Sequence, residues 1–298
     1  MTAATPTSER PVRINDEFGT LRTAVVHDAG NAVDTSLEDL RRFTPAEELT
    51  DHPESGSSIR ERIIELHARF CQLLAEHGVT LLFPVTQADA FCQVFTRDPC
   101  FAIGDRLLIG SLRDKYRQPE IAGLSELRKQ FTNVINLSGN RATIEGGDVL
   151  VLDEGRRVLV GMNRHTNEEG FQNLTAALAG SGIEVIKVPH GALHLDCCLA
   201  PLPDRSALYA SANLPDRSMD TLKTCFVEMI PLDPHEAAVH LAANIFWIDQ
   251  RRVVSSSAAR KTNELLRSRG YQVIELDFSH VVFLWGSFRC VVCPIERA

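Results

Sequence analysis

The fold of this chain is set out in residues 149–160, which read Val149-Leu150-Val151-Leu152-Asp153-Glu154-Gly155-Arg156-Arg157-Val158-Leu159-Val160. Two aliphatic runs flank a short polar turn that contains aspartate and glycine. Aspartate and glycine accept the backbone angles of a tight turn, and β-branched side chains favour strands. The segment therefore predicts a β-hairpin that turns at Asp153.

The same pattern of apolar strand, charged turn and apolar strand occurs four times along the chain. Its turns follow one another at intervals of 48, 51 and 45 residues. A period near 50 residues indicates a repeated supersecondary unit. The turn aspartates are Asp105, Asp153, Asp204 and Asp249.

A second pattern, an amphipathic helix followed by glycine and a short strand, occurs at residues 73–83, 178–186 and 266–274. Glycine suits the left-handed backbone position just past a helix end. Together the two patterns predict about five modules of hairpin, helix and strand. We therefore expect a closed α/β propeller rather than a generic α/β sandwich without rotational symmetry. The helix that ends before Gly78 begins well upstream of this range. Its apolar residues recur near helical spacing at Ile63, Ile64, Leu66, Phe70, Leu73 and Leu74.

The composition is that of an ordinary globular protein. The chain has 298 residues, of which 44% are hydrophobic, and its longest apolar runs are far shorter than the roughly 20 residues that span a bilayer. A net charge of −8 argues against nucleic acid as a partner, and a homo-oligomer is compatible with the composition. Residues 1–10 are polar and lack the apolar centre of a signal peptide. We expect a disordered tail at residues 1–12, a single catalytic domain at residues 13–298, no membrane contact and a cytoplasmic location.

Four short segments carry the candidate chemistry. Each has an ordinary structural explanation, namely a surface ion pair, a solvated turn, a strand end with a satisfied histidine, and a buried structural cysteine. Their recurrence at the strand ends of consecutive modules favours one shared site. The segments are Phe95-Thr96-Arg97-Asp98-Pro99, Glu145-Gly146-Gly147-Asp148, His194-Leu195-Asp196 and Gly286-Ser287-Phe288-Arg289-Cys290.

Cys290 is the candidate nucleophile among the eight cysteines. The neighbouring Arg289 is a cation that favours a thiolate. A redox pair with Cys293 is an alternative, although such pairs usually open a helix after an early strand. The other cysteines are expected to be buried reduced thiols rather than disulfides.

His194 is the candidate acid and base, since histidine exchanges protons near neutral pH. Period-two spacing would place His194 and Asp196 on one side of a strand. His190 lies four residues earlier, which on a helix would suggest a zinc pair. Pro189 and Gly191 disfavour that helix.

In this order, the four segments resemble the guanidino-group-modifying enzymes, which comprise arginine deiminase, dimethylarginine dimethylaminohydrolase, arginine dihydrolase and the amidinotransferases. The resemblance runs from about Leu21 to Pro294. It implies the pentein fold, an α/β propeller of five ββαβ units with pseudo-fivefold symmetry, in agreement with the hairpin period. It also implies a small guanidino compound as substrate and no metal or organic cofactor.

The resemblance further implies a role for each motif residue. Cys290 would attack the guanidinium carbon and form an S-alkyl thiouronium intermediate. His194 would protonate the leaving amine and then activate water, while Glu145 holds and polarises it. Asp98 and Asp196 would clamp the guanidinium nitrogens by charged hydrogen bonds.

Two positions depart from the family pattern. These families usually show Gly-x-x-x-Arg-Thr, whose arginine binds the substrate carboxylate, whereas residues 161–166 place His165 before the threonine. Arginine deiminases also carry an asparagine six residues before the clamp aspartate, where this chain has Cys92. A substrate carboxylate would therefore need another cation. The candidate substrate-binding arginines are Arg97, Arg113, Arg117 and Arg164.

The sequence thus predicts a cysteine-dependent hydrolase of arginine or a close relative. One alternative is an amidinotransferase that passes the same intermediate to an amine, and a second is a hydrolase of dimethylarginine or citrulline. A pentein that only binds a partner is disfavoured by the presence of Cys290, His194 and Glu145. A redox or zinc site at Cys290 and Cys293 is the remaining alternative.

Overall fold

Short strands form five three-stranded sheets in the computed structural model, which describes residues 10–30, 56–90, 92–139, 141–282 and 284–298. In every sheet the central strand pairs antiparallel with one neighbour and parallel with the other. The strands are β1 (Leu21–Val25), β2 (Thr80–Leu82), β3 (Cys100–Ile103), β4 (Arg106–Ile109), β5 (Val134–Asn136), β6 (Val149–Leu152), β7 (Arg157–Met162), β8 (Glu184–Pro189), β9 (Leu199–Pro201), β10 (Ser206–Tyr209), β11 (Glu228–Pro231), β12 (Phe246–Trp247), β13 (Arg252–Ser256), β14 (Gln272–Leu276) and β15 (Cys293–Arg297).

A helix lies between the central strand and the parallel strand of each sheet, so each sheet with its helix forms a ββαβ module. The helices of the modules are α1, α2, α3, α4 and α6, whereas α5 and α7 lie in connections. Their bounds are α1 (Gly56–Glu76), α2 (Gln118–Gly123), α3 (Glu168–Ala177), α4 (Asp216–Cys225), α5 (Pro234–Val239), α6 (Arg260–Ser268) and α7 (Ser279–Val282).

The four predicted hairpins are confirmed as β3–β4, β6–β7, β9–β10 and β12–β13. The turn aspartates explain two of them, because Asp204 accepts a hydrogen bond from the Ser206 amide at 3.0 Å and Asp249 accepts one from the Arg251 amide at 2.8 Å. These contacts fold the backbone locally before any tertiary packing.

The predicted helix ends are also confirmed. Gly78, Gly180, Gly182 and Gly270 have φ angles of 78°, 77°, 77° and 88°, which is the left-handed region that glycine tolerates best. The apolar face of α1 is buried, as its spacing predicts.

The fifth hairpin is built from the two ends of the chain. Strand β15 pairs antiparallel with β1, with Leu21 opposite Arg297 and Val25 opposite Cys293. Strand β1 then pairs in parallel with β2, which follows α1. The last strand therefore completes the first module, and the five modules close into a ring.

Hydrogen bonds between the segments that precede the first strand of each module close the same ring. Each segment forms a hydrogen bond with the next segment, and the last forms one with the first. The bonds are Gly146 N–Asp98 O (3.0 Å), Leu195 N–Asp148 Oδ1 (2.8 Å), Asn244 Nδ2–Asp196 O (3.1 Å), Arg289 N–Asn244 Oδ1 (3.0 Å) and Arg97 N–Cys290 O (3.2 Å). This five-step closure is the rotational arrangement that the hairpin period predicts, and a sandwich would not produce it.

The aromatic core of the first module anchors the last segment of this ring. The Phe288 ring stacks on Phe278 at a centroid distance of 4.2 Å and lies 5.4 Å from Phe70 of α1. Such buried ring pairs add packing energy beyond the area that they remove from water. Phe288 therefore holds the backbone two residues before Cys290.

The predicted tail lies mostly outside the described residues, which begin at Arg10. Arg10 donates its backbone amide to the Gln130 carbonyl at 2.9 Å. Disorder of residues 1–9 and the single-domain assignment stay predictions. Among the described residues, no helix combines the length and the apolar character that crossing a membrane requires.

Candidate active site

The ends of the five connecting segments bring polar side chains together at the centre of the ring. Each first strand of a module begins one to five residues after one of them. Equivalent positions of a rotational repeat face a common axis, and this explains why residues almost 200 positions apart meet. The side chains are Asp98 before β3, Glu145 and Asp148 before β6, His194 and Asp196 before β9, Asn244 before β12 and Cys290 before β15.

His194 and Glu145 form a buried pair at this centre. His194 Nε2 lies 2.8 Å from Glu145 Oε2, and His194 Nδ1 lies 3.6 Å from Asp98 Oδ1. Burial disfavours the charged imidazole, but the carboxylates of Asp98 and Glu145 outweigh it and hold the pKa of His194 well above its usual value. The imidazole is therefore a cation between two carboxylates at neutral pH.

The same contacts lower the pKa of Glu145, whereas they raise that of His194. Burial favours its neutral form, but hydrogen bonds from His165 and His194 outweigh burial and hold the pKa of Glu145 well below its usual value. The Arg113 backbone amide donates a further bond to Glu145 Oε1 at 3.0 Å. Glu145 is thus an ionised acceptor with a fixed orientation.

The two glycines after Glu145 allow this close packing. A Cβ atom on Gly147 would lie 2.7 Å from the His194 ring, and one on Gly146 would lie 2.1 Å from the Arg97 carbonyl. Both distances are shorter than van der Waals contact allows. The paired glycines of the motif are therefore required by the approach of neighbouring segments rather than by an unusual φ angle.

Cys290 is 3% exposed and lies beside Asn244. Its Sγ is 3.5 Å from Asn244 Oδ1, which also accepts the backbone amides of Arg289 at 3.0 Å and Cys290 at 3.4 Å. The Asn244 side chain thereby fixes the turn that presents the thiol. Cys293 points elsewhere, because its thiol donates to the Pro294 carbonyl at 3.8 Å.

Asp98 is bound on one side by the guanidinium of Arg117. Arg117 Nη1 donates to Asp98 Oδ2 at 2.9 Å, while Nε and Nη2 bind both oxygens of Glu120 at 2.7 and 2.9 Å. Among the described residues, Asp98 Oδ1 has no hydrogen-bond partner although it is buried. One oxygen of this carboxylate is therefore held by the protein and the other faces His194.

Asp196 has a similar arrangement with Arg289. Arg289 Nη1 donates to Asp196 Oδ2 at 2.7 Å, and its other nitrogens bind Glu17 Oε2 at 3.1 and 3.2 Å. Burial raises the pKa of Asp196 despite the attraction of Arg289. At Glu17, burial is outweighed by Arg289 and Arg97, and the pKa is lowered.

The two residues that depart from the family pattern both lie near the site. His165 Nδ1 is 3.4 Å from Glu145 Oε1, and its ring meets the His194 ring edge-on at 5.2 Å. Its buried Nε2 has no hydrogen-bond partner within the part of the chain that the structure describes. Cys92 is partly buried near Arg117, and burial raises the pKa of its thiol to about 12. His165 thus lies in contact with the Glu145–His194 pair.

The remaining predicted arginines do not contact this pair with their side chains. Arg97 is buried against Glu17, at 3.8 Å. Arg113 pairs with Asp114 at 3.5 Å, and Arg164 is exposed with no side-chain bond among the described residues. Among the four candidates, Arg117 therefore comes closest to the clamp aspartate.

The strand expected at residues 194–196 is absent, which corrects one prediction. His194 is extended, but Leu195–Cys197 form a 3₁₀ turn. The Leu195 amide turns towards Asp148 Oδ1, where His190 Nε2 also binds at 2.9 Å. A local hydrogen-bond network therefore overrides the alternating pattern.

Sequence reasoning missed Asn244 and Glu17. Asn244 stands two residues before β12, which is the position that Asp98 holds before β3. The repeat itself was thus the signal that could have identified Asn244. Glu17 follows no repeated motif, and only the buried Arg289 reveals its place.

Two groups of side chains have metal-binding donors within 4.8 Å of one another: Glu145, His165 and His194, and separately Asp196, Cys197 and Cys290. Thiolate and imidazole donors suit zinc. Within the first group the ligand atoms already form hydrogen bonds at Glu145 and His194.

The eight cysteines are all free thiols, as predicted.

Comparison with known proteins places the chain in a family of guanidino-modifying enzymes. The sequence profile of the family described as N,N dimethylarginine dimethylhydrolase, eukaryotic, matches residues 44–297. An N(G),N(G)-dimethylarginine dimethylaminohydrolase of Streptomyces coelicolor is 28% identical over 261 residues, which cover 87% of this chain and 95% of the relative. An uncharacterised protein of Bacillus subtilis, YkgA, is 28% identical over 300 residues, covering 100% of this chain and 99% of the relative.

The solved amidinotransferase SxtG of Microseira wollei has the same fold. It superimposes with a TM-score of 0.81 at 17% identity, covering 97% of this chain and 98% of that one. At this identity the likeness concerns the fold alone. The predicted α/β propeller of five ββαβ modules is thereby confirmed.

Proposed function

Since the chain belongs to the N,N-dimethylarginine dimethylhydrolase family of the pentein superfamily, we propose that it is a cysteine-dependent hydrolase of a guanidino compound, arginine or a close relative. The observation that carries the proposal is His194, a buried cation held between Glu145 and Asp98. Cys290 lies on the same closed ring of segments. A nucleophile, a proton donor and a carboxylate clamp are the groups that this chemistry requires.

In the first step, the Cys290 thiolate attacks the guanidinium carbon and forms a carbon–sulfur bond. The carbon–nitrogen bond to the leaving amine then breaks, and the amine departs with the proton of the His194 imidazolium. The raised pKa of His194 supports this role, because it keeps the proton available at neutral pH. An S-alkyl thiouronium on Cys290 is the product of this step.

In the second step, neutral His194 takes a proton from water, and the resulting hydroxide attacks the thiouronium carbon. The carbon–sulfur bond breaks, the thiolate of Cys290 is restored, and a ureido product leaves after the added hydroxyl group has lost its proton to solvent. His194 ends the cycle protonated, as it began. Glu145 stabilises the imidazolium in both halves of the cycle and keeps its ring oriented.

A guanidinium is a poor electrophile and must be held in place. Asp98 has one oxygen anchored by Arg117 and a second oxygen that none of the described residues hydrogen-bonds. Asp196 is anchored by Arg289 through one oxygen, and its other oxygen faces the Cys197 thiol at 3.5 Å. Asp98 Oδ1 and Asp196 Oδ1 are the acceptors that we assign to the substrate guanidinium.

Two further candidate functions use the same groups. Dimethylarginine hydrolysis is favoured among the close relatives of arginine by the Streptomyces coelicolor relative, whose name states that substrate. An amidinotransferase would replace water with an amine in the second step, and here the likeness to SxtG supports only the fold. Citrulline is a third substrate to test, since its ureido carbon is chemically similar.

The proposal is tested by a mass-spectrometric turnover screen of the purified protein. The compounds are arginine, methylated arginines, agmatine, citrulline, guanidinoacetate and guanidinopropionate. We expect release of ammonia or a methylamine from at least one compound, and we expect Cys290→Ser to lower that rate by about 10³-fold or more. Cys225→Ser on α4 is the matched control and should keep the rate.

The pattern of substrates also tests the role of His165. If a carboxylate on the substrate is required, arginine should react far faster than agmatine, and the exposed Arg164 is then the first cation to replace. If His165 has removed that requirement, the two should react at similar rates. Full turnover by Cys290→Ser would overturn the proposal, and product formation that needs an added amine would select the transferase.

A further inference from the structure

A second thiol lies beside the candidate nucleophile. The Sγ atoms of Cys197 and Cys290 and a carboxylate oxygen of Asp196 are all within 4.8 Å of one another. Both cysteines are buried, at 6% and 3% exposure, and belong to the same apolar cluster. The catalytic steps proposed above do not use Cys197.

The hydrogen bonds around this pair are arranged for exchange between the two sulfurs. The Cys197 thiol donates to Asp196 Oδ1 at 3.5 Å, and its Sγ lies within 4.8 Å of the Cys290 Sγ. Cys290 donates in turn to Asn244 Oδ1 at 3.5 Å. A carboxylate that can take the proton of one thiol therefore lies beside both sulfurs.

We propose that Cys197 is a resolving thiol for Cys290, so that a hydroperoxide entering the site converts the two residues into a reversible Cys197–Cys290 disulfide. The inference goes beyond the proposed function, because it depends on the position of two thiols and not on any substrate. It assigns a modification site to the 3₁₀ turn that precedes β9.

The reaction has two balanced steps. The Cys290 thiolate attacks the outer oxygen of the hydroperoxide, the oxygen–oxygen bond breaks, and Cys290 becomes a sulfenic acid while an alkoxide or hydroxide leaves. The Cys197 sulfur, after giving its proton to Asp196, then attacks the sulfenic sulfur. A sulfur–sulfur bond forms, the sulfur–oxygen bond breaks, and hydroxide leaves as water with that proton.

The charge state of Cys197 fits the order of these steps. The neighbouring Cys290 thiol, followed by burial, holds the pKa of Cys197 well above its usual value. The thiol is therefore protonated at rest and does not compete with Cys290 for substrate.

The other buried thiols are placed differently. Cys198 is adjacent in sequence, but its thiol donates to the Leu195 carbonyl at 3.3 Å and packs in a separate apolar cluster. The thiols of Cys100 and Cys293 donate to the Thr96 and Pro294 carbonyls at 3.5 and 3.8 Å and lie together in a further apolar cluster. Cys198 is therefore a matched control, and the Cys100–Cys293 pair is the competing disulfide.

The test is intact-mass spectrometry of the full chain after treatment with a few equivalents of hydrogen peroxide, followed by peptide mapping. It needs no substrate, so its outcome is separable from that of the turnover screen. We expect the loss of two hydrogen atoms, a cross-linked peptide pair containing Cys197 and Cys290, and full reversal by dithiothreitol. Where a turnover assay exists, activity should fall about tenfold or more and return on reduction.

Variants separate the possible results. Cys198→Ser should still form the cross-link, whereas Cys197→Ser and Cys197→Ala should instead gain oxygen on Cys290 that dithiothreitol does not remove. Circular dichroism confirms that each variant is folded. The proposal is overturned if the unmodified chain accumulates sulfinic acid on Cys290 without a cross-link, or if the disulfide joins Cys100 to Cys293.

Discussion

His194 carries a positive charge in a fully buried place, and that charge has a definite physical source. The carboxylates of Asp98 and Glu145 flank its two ring nitrogens at 3.6 and 2.8 Å. The identity of these residues could be predicted from the sequence, because each belongs to a motif. The contact with His165 could not, since only the folded loop brings residue 165 beside Glu145.

This charge predicts the pH dependence of the reaction. The first step needs protonated His194, and its pKa is raised, so the rate should fall only as the pH rises through a value above the usual range of histidine. Glu145→Gln removes one source of the shift and should move the alkaline limb to lower pH. It should also lower kcat by about 10²–10⁴-fold.

The measurement is the pH profile of kcat/KM for both proteins. Glu264→Gln, on the exposed face of α6, is the control and should leave the profile unchanged. An alkaline limb that stays in place in Glu145→Gln would show that His194 is not the group that titrates. The same raised pKa stabilises the fold at low pH, and that contribution is lost as the pH rises through it.

At the scale of elements, the hairpins and the glycine helix ends were predictable because local chemistry decides them. Aspartate turns and glycine stops act within a few residues. The 3₁₀ turn at Leu195–Cys197 was not predictable, since it depends on Asp148, which is 47 positions from Leu195. Segments of the site follow long-range hydrogen bonds, whereas strands and helices follow their own residues.

The proposed mechanism depends on the close approach of the Gly146-Gly147 backbone to neighbouring segments. Gly147→Ala places a Cβ 2.7 Å from the His194 ring, so the ring must move away from Glu145. We expect kcat to fall about 10²-fold, because small misplacements of a catalytic group are costly, with a loss of about 1–3 kcal/mol in unfolding free energy.

Gly191→Ala is the matched control for this change. It lies three residues before His194, and its Cβ would have no neighbour closer than 3.7 Å. Turnover assays and urea denaturation compare the two variants. Equal effects of both substitutions would refute the steric role of Gly147.

At the scale of the whole molecule, the period of the hairpins predicted five modules although only four hairpins are contiguous in sequence. The fifth joins β1 to β15, and no turn links those strands. A hairpin made from the two chain ends has no local signal, so its existence followed from the count of modules alone. Ring closure therefore depends on packing at the seam, which is the place where β15 meets β1.

Arg297 is buried at this seam. Its guanidinium donates to the Gly19 and Trp247 carbonyls at 2.6 and 2.9 Å and lies over the Phe246 ring. Arg297→Ala leaves both carbonyls without this partner, and we expect it to lower the free energy of unfolding by about 2–4 kcal/mol.

Arg13→Ala provides the comparison at the same strand. Its side chain is 52% exposed and, as far as the structure describes the chain, pairs only with Glu296, so its loss should change the stability by less than about 0.5 kcal/mol. Urea denaturation of both variants measures the difference. Similar small losses would mean that the seam does not hold the ring closed.

Covalent catalysis by Cys290 requires an intermediate on its sulfur, and acid-quench mass spectrometry during turnover can detect that intermediate. The protein is mixed with whichever guanidino compound reacts, quenched within the first turnover and mapped by peptide. We expect the mass of the protein to increase by the mass of the substrate minus that of its leaving amine. The added mass should be located on Cys290 and be absent from Cys290→Ser. Steady turnover with an unmodified Cys290, retained in the serine variant, would contradict it.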